Sequence, residues 1–269
     1  MSWLNADKFI FVSPHYDDVV LSCAATIMKL LDRKYACTVN TVYGGGPADS
    51  YVPSQVAIDY VVEDLGLTCE SVSIGHCLEL LSIRRAEDAR AMERIGISCV
   101  KTMDIPDAIY RESEGSCFYA TEDELFGAPH VEDEANVCAE FLKYVQTTDQ
   151  NYAYRWVFPA ISNHVDHRIL IKVGKQLAAA GYCVLFYAEV PYWKEDQPFS
   201  ERDWIRINIH VKELAQLKAM AIMEYRSQLL GLFNVNETDE IQNSMLNDGI
   251  EVFWVRKTDT ELIRLFHSL

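Results

Sequence analysis

Two short clusters carry the side chains best suited to chemistry: Pro14-His15-Tyr16-Asp17-Asp18 and, about 150 positions later, His164-Val165-Asp166-His167. Imidazole with carboxylate is a donor mixture that suits a catalytic divalent metal, which takes three protein groups and leaves a position for water. Five side chains, His15, Asp17, Asp18, His164 and His167, compete for those three places. His15 and Asp18 are spaced so that a tight loop can converge them, and Asp17 between them must then point elsewhere, toward water or substrate. His164 and His167 stand three apart at a helix start and share a face, one nearer a metal and the other nearer a substrate. A carboxylate beside a cation can take a proton from water, which suits Asp17. An imidazole can stabilise an oxyanion or protonate a departing amine, which suits His164. Asp166 could orient His164 or support His167 from behind.

Either cluster alone reads as ordinary structure, an Asp-bearing turn that caps a helix or a capped helix start with exposed imidazoles. Their flanks change the balance. Each follows an apolar run rich in aromatic and β-branched residues, KFIFVS and YRWVFPA, and each precedes a helical period, VVLSCAATIMKLLDRK and IKVGKQLAAAG. CTVNTVY follows the first helix, so the chain opens with a β-α-β unit whose strands are parallel and whose crossover is right-handed. The expected fold is α/β, a Rossmann-like three-layer sandwich with a mainly parallel sheet and an elaborated C-terminal part. Ligands bind outside the carboxyl ends of such strands. Both clusters would meet there.

The remaining elements are expected as a helix over 54–65, a weak strand near Cys69 to Ile74, and a helix through RRAEDARAMERIG that stops at Gly96. A strand over 98–103 precedes a long stretch, 104–132, without periodicity, a candidate substrate loop or lid. A helix over 131–145, the strand YCVLFYAEV, one helix from Val211 to Leu229 and the late strand EVFWVR complete the order. With no repeat or linker, 1–269 reads as a single domain. Gly44-Gly45-Gly46 lacks phosphate-loop spacing and reads as a plain flexible turn. Arg85 reads as a solvated helix charge paired with Glu87 and Asp88. Arg84 is balanced between that and a ligand contact.

A net charge of -16 repels a phosphate backbone and speaks against nucleic acid as a partner. The apolar stretch FIFV is too short for a signal peptide or a membrane span, and eight scattered cysteines without a C-x-x-C pair suit a reducing compartment. A cytoplasmic protein acting on a small molecule is expected, with a homo-oligomer compatible.

SPHYDDVVLS and NHVDH resemble the signatures of the zinc-dependent N-deacetylases of the PIG-L/LmbE type, a P-H-x-D-D early in the chain and an H-x-D-H in the later half. The resemblance extends through RRAED, DIPDAIYR, VLFYAEVPY, EYRSQL and EVFW. It implies zinc on His15, Asp18 and His167, with Fe(II) or Co(II) able to take the same donors. It further implies Asp17 as general base and His164 as its catalytic partner, with Arg84 and Asp107 facing the substrate. The implied activity is hydrolysis of an N-acyl group, most often acetyl, from an amino sugar, glycoconjugate or related intermediate. The chain departs from the pattern at Val19, where many members carry Glu, and in having no Tyr just before His164. Tyr187 or Tyr192 could supply that hydroxyl, and Tyr192 joins the substrate-binding candidates. The alternatives are a non-hydrolytic metal- or glycan-binding protein and a nucleotide-binding Rossmann enzyme.

Overall fold

A computed structural model describes residues 8–67, 72–192, 198–233 and 249–269. The strands are β1 (Lys8–Ser13), β2 (Ala36–Thr41), β3 (Val100–Thr102), β4 (Glu112–Ser113), β5 (Ser116–Cys117), β6 (Arg155–Pro159), β7 (Cys183–Tyr187), β8 (Trp204–His210) and β9 (Ile250–Arg256). The α-helices are α1 (Asp18–Asp32), α2 (Gln55–Leu65), α3 (Ile74–Arg94), α4 (Glu122–Leu125), α5 (Val131–Thr148), α6 (Val165–Ala179), α7 (Ala215–Ile222), α8 (Arg226–Phe233) and α9 (Thr260–Ser268).

Seven strands form one sheet in the order β3-β2-β1-β6-β7-β9-β8. The five from β3 to β7 are parallel, and β9 and β8 add an antiparallel edge. The mainly parallel α/β sandwich expected from the sequence is what forms. Because strand residues alternate between faces, β1 sends Phe9 and Phe11 into one core and Ile10 and Val12 into the other. The first core packs against α1, α3, α7 and α9, the second against α5 and α6. Burial on both faces is why these strands read as unbroken apolar runs.

Gly96 closes α3 as expected, with a φ of 81°, and the Ile97 N–H donates to the Met92 carbonyl. Other expectations need correction. The weak strand near Cys69 falls partly outside the described residues, and Ser73 onward already belongs to the start of α3. The single helix expected over 211–229 is two helices, because Tyr225 and Ser227 bind other elements through their side chains and turn the chain between them. The stretch 104–132 carries a 3-10 turn (Ala108–Tyr110), the β4–β5 hairpin and α4. With α2 and the start of α3 it builds a third apolar cluster at the carboxyl edge of the sheet, including Tyr51, Leu80 and Tyr110. The glycine run is tightly packed rather than flexible. A Cβ on Gly44 would collide with Thr102 Cγ2, and one on Gly45 would sit 2.7 Å from the Asp104 backbone, so this backbone is packed against the segment that carries Asp107. Among the described residues no helix is long and apolar enough to cross a membrane.

Candidate active site

Strand order reverses between β1 and β6, so the loops leaving these two neighbours lie side by side at the crevice such sheets use for ligands. His15 and Asp17 sit in the first loop and Asp18 opens α1. His164 precedes α6, whose first turn carries Asp166 and His167.

Asp18 offers one oxygen to each imidazole. Its Oδ2 lies 3.4 Å from His15 Nδ1, and its Oδ1 lies 3.4 Å from His167 Nε2. The His15 backbone N–H also donates to Asp18 Oδ2 at 2.8 Å and sets the loop. Donor atoms of His15, Asp18 and His167 all fall within 4.8 Å of one another, and so do those of His15, His164 and Asp166. The chemistry of the two trios differs. Asp166 is fully buried, with Oδ1 accepting from Arg111 (2.6 Å) and Oδ2 accepting from His15 Nε2 (3.0 Å) and the Ala108 N–H (3.1 Å). The first trio instead lines a cavity of about 310 Å³. Two imidazoles and a carboxylate with an open side fit a divalent cation that must also meet a substrate.

Both imidazoles are held from behind. His15 turns Nε2 to Asp166, and His167 turns Nδ1 to Glu189 Oε1 at 3.2 Å. An imidazole that gives its far N–H to a carboxylate keeps its near nitrogen as a donor for a metal. The Asp166 carboxylate therefore backs His15, while its backbone N–H meets His164. Glu189 escapes a reading of the two motifs. It accepts from the N–H groups of Ala160, Ile161 and Ser162 at 2.9, 2.8 and 3.1 Å, so it also fixes the loop after β6. Arg111 makes a two-pronged contact with Asp133 (2.8 and 2.9 Å) while holding Asp166.

The paired aspartates diverge electrically. Burial, with Asp18 beside it, lifts the Asp17 carboxyl to about 6. Burial pushes Asp18 the same way, but His167 and His15 outweigh it and hold the carboxyl well below the usual range. Burial carries His164 down to about 3, so its ring is neutral. Its Nδ1 accepts from the Asp166 N–H (3.3 Å), which leaves the proton on Nε2.

Of the substrate candidates, Arg84, Asp107 and Tyr192 all line the cavity. Arg84 is ion-paired with Asp64. Tyr192 packs edge-on to His167 with ring centroids 6.1 Å apart. Tyr187 is spent elsewhere, donating to the Val12 carbonyl inside the core, and Val19 is buried in the core beneath the site. Arg85 is not paired with Glu87 or Asp88. It donates to the Tyr16 hydroxyl and to the Gly44 carbonyl, both at 3.1 Å, and ties the loop after β1 to the glycine turn after β2. Tyr60, Glu63, Glu122 and Phe126 also line the cavity, and no motif marks them.

Asp88 stands behind this site, accepting from the Tyr225 hydroxyl at 2.8 Å. Burial raises its carboxyl to about 7. The folded state thus keeps a proton that the unfolded chain releases near pH 4, so this contribution to stability is complete below about 4 and lost as pH rises through about 7. At about 1.4 kcal/mol per pKa unit the loss is on the order of 4 kcal/mol. Asp88→Asn should flatten the fall in unfolding free energy between pH 4 and 8, read from denaturant midpoints. An unchanged profile would show that Asp88 does not carry it.

A family model described as PIG-L, GlcNAc-PI de-N-acetylase, matches residues 10–178. The 2'-N-acetylparomamine deacetylase of Niallia circulans is 41% identical over 268 residues, covering 99% of this chain and 98% of the relative. The zinc-inhibited form of a teicoplanin deacetylase superposes with a TM-score of 0.71 at 20% identity, over 94% of this chain and 99% of that one. N,N'-diacetylchitobiose deacetylase from Pyrococcus horikoshii gives 0.54 at 16% identity, over 94% and 87%. At such identities the structural likeness speaks to fold alone.

Proposed function

This chain belongs to the PIG-L family of de-N-acetylases, and we propose that it hydrolyses the N-acetyl group of a cationic amino sugar with zinc held by His15, Asp18 and His167. In this reading 1–269 works as one catalytic domain. The observation that carries the reading is the convergence of those three donors on an open cavity whose wall also holds Asp17 and His164.

Zinc, when bound there, would supply the positive charge that polarises the amide carbonyl and eases loss of a proton from water. Asp17 accepts that proton as the oxygen of water bonds to the acyl carbon. The neutral His164 donates its Nε2–H to the oxyanion, in the manner of an electrophilic imidazole. As the C–N bond breaks, Asp17 returns its proton to the departing amine, leaving free amine and acetic acid, which ionises to acetate at neutral pH. Asp166 and Glu189 keep the two ligand imidazoles turned, and Arg84, Asp107 and Tyr192 seat the sugar.

Glu63, Glu122 and Asp107 on the cavity wall favour a substrate with ammonium groups beside its acetamide, and Tyr60, Phe126 and Tyr192 offer ring faces for cations and sugars. The 41%-identical relative acts on 2'-N-acetylparomamine, which makes that compound the first probe. Zinc-loaded protein should release free amine and acetate from it, stop when the metal is stripped by a chelator, and resume when zinc is restored. Zinc-loaded protein that releases no amine from this compound or from simple N-acetylglucosamine derivatives would sink the proposal.

A further inference from the structure

The segment Tyr225-Arg226-Ser227-Gln228 opens α8 far in sequence from both motifs, yet it closes one wall of the site. The Tyr225 hydroxyl lies 2.8 Å from Asp88 Oδ1 and 3.0 Å from the Tyr16 carbonyl oxygen, and it links the two by hydrogen bonds. The Ser227 N–H and hydroxyl both donate to Glu87, at 3.0 and 2.6 Å. Glu87 and Asp88 lie on α3, about one turn beyond Arg84. One helix therefore carries Arg84 and also the carboxylates that dock α8 beside it.

This docking aims Gln228 into the cavity. One end of its amide lies 3.2 Å from Asp17 Oδ2, and the other lies 2.9 Å from Arg84 Nη2 and beside Arg84 Nε. A carboxylate only accepts and a guanidinium only donates, so the amide has a single satisfactory orientation between them. Asp17 precedes α1, and its side chain makes no capping hydrogen bond to that helix.

We propose that Gln228 is a positioning residue that fixes the Asp17 carboxylate and joins it to Arg84 through one amide bridge. The base is then set relative to the same guanidinium that contacts substrate. The inference rests on the reading of Asp17 as general base. Its expected weight follows from geometry, since a displacement of about 1 Å in a reacting group costs on the order of a hundredfold in rate.

The test uses the zinc-loaded full chain and 2'-N-acetylparomamine. Gln228→Glu keeps an acceptor for Arg84 and loses the donor to Asp17, whereas Gln228→Leu loses both. Each should lower kcat by about ten- to a hundredfold. The Glu variant should keep KM within about twofold, because binding through Arg84 survives. Zinc content and thermal midpoint should match the parent. In an Asp17→Asn background neither change should reduce the residual rate further, because the group that Gln228 positions is gone. A purely structural role would cost the same in both backgrounds. Parental kcat in Gln228→Glu, or an equal further loss in the Asp17→Asn background, overturns the inference. Full turnover in Asp17→Asn alone would be a distinct result, overturning the base assignment and the inference with it.

Discussion

Asp17→Asn is expected to keep zinc and the parental thermal midpoint while losing about a hundred- to ten-thousandfold in kcat, the range that proton transfer by a positioned side chain contributes. Metal retention follows from geometry. Asp18, not Asp17, presents its two oxygens to His15 and His167, and Asn at position 17 still fills the space and still meets Gln228. Loss of rate follows from the environments of the two neighbours. Asp17 is raised to about 6 by burial and the adjacent carboxylate, while Asp18 is held ionised by its two imidazoles. Paired groups pushed apart in this way divide the work between proton transfer and charge. The parent's kcat/KM should fall on acidification as Asp17 takes a proton, with a midpoint at or below about 6, since a cation beside it favours the ionised form. Parental turnover in Asp17→Asn at its optimal pH would exclude Asp17 as the base.

What could be read from the chain, and what could not, follows from how far each signal reaches. KFIFVS and YRWVFPA are legible as strands because burial on both faces leaves no room for polar residues, and the polar clusters after them are legible because they interrupt that pattern. Glu189 is hidden because one charge after an apolar strand looks like any strand end. Only the fold brings it to His167 and to three backbone N–H groups. Arg111 and Asp133 are hidden for a related reason, since charged residues default to the surface and these two are buried because they satisfy each other, with Arg111 also holding Asp166 and Asp133 also accepting from the Tyr119 hydroxyl. The helical period runs on through the α7–α8 break, because hydroxyl contacts of Tyr225 and Ser227 with distant groups make the break. β8 does alternate, with Ile207 and Ile209 buried, but it lies among charged residues and gains its partner only from the distant β9.

His167→Ala should abolish zinc-dependent stabilisation without unfolding the protein. In the parent, zinc at about a thousand times its dissociation constant would add roughly 4 kcal/mol through binding to the folded state. That gain would appear as a higher thermal midpoint than in chelated protein. Removing His167 leaves two of three donors, so the midpoint should become insensitive to zinc and turnover should fall below detection. The metal-free fold should survive, because Glu189 loses a ring but keeps three N–H donors and is not left as an unpaired buried charge. His15 likewise stays tied to Asp166, which Arg111 continues to hold. This variant also separates the two geometric trios. His15, His164 and Asp166 do not include His167, so a zinc-dependent rise that persists in His167→Ala would move the metal to that trio and overturn the assignment made here.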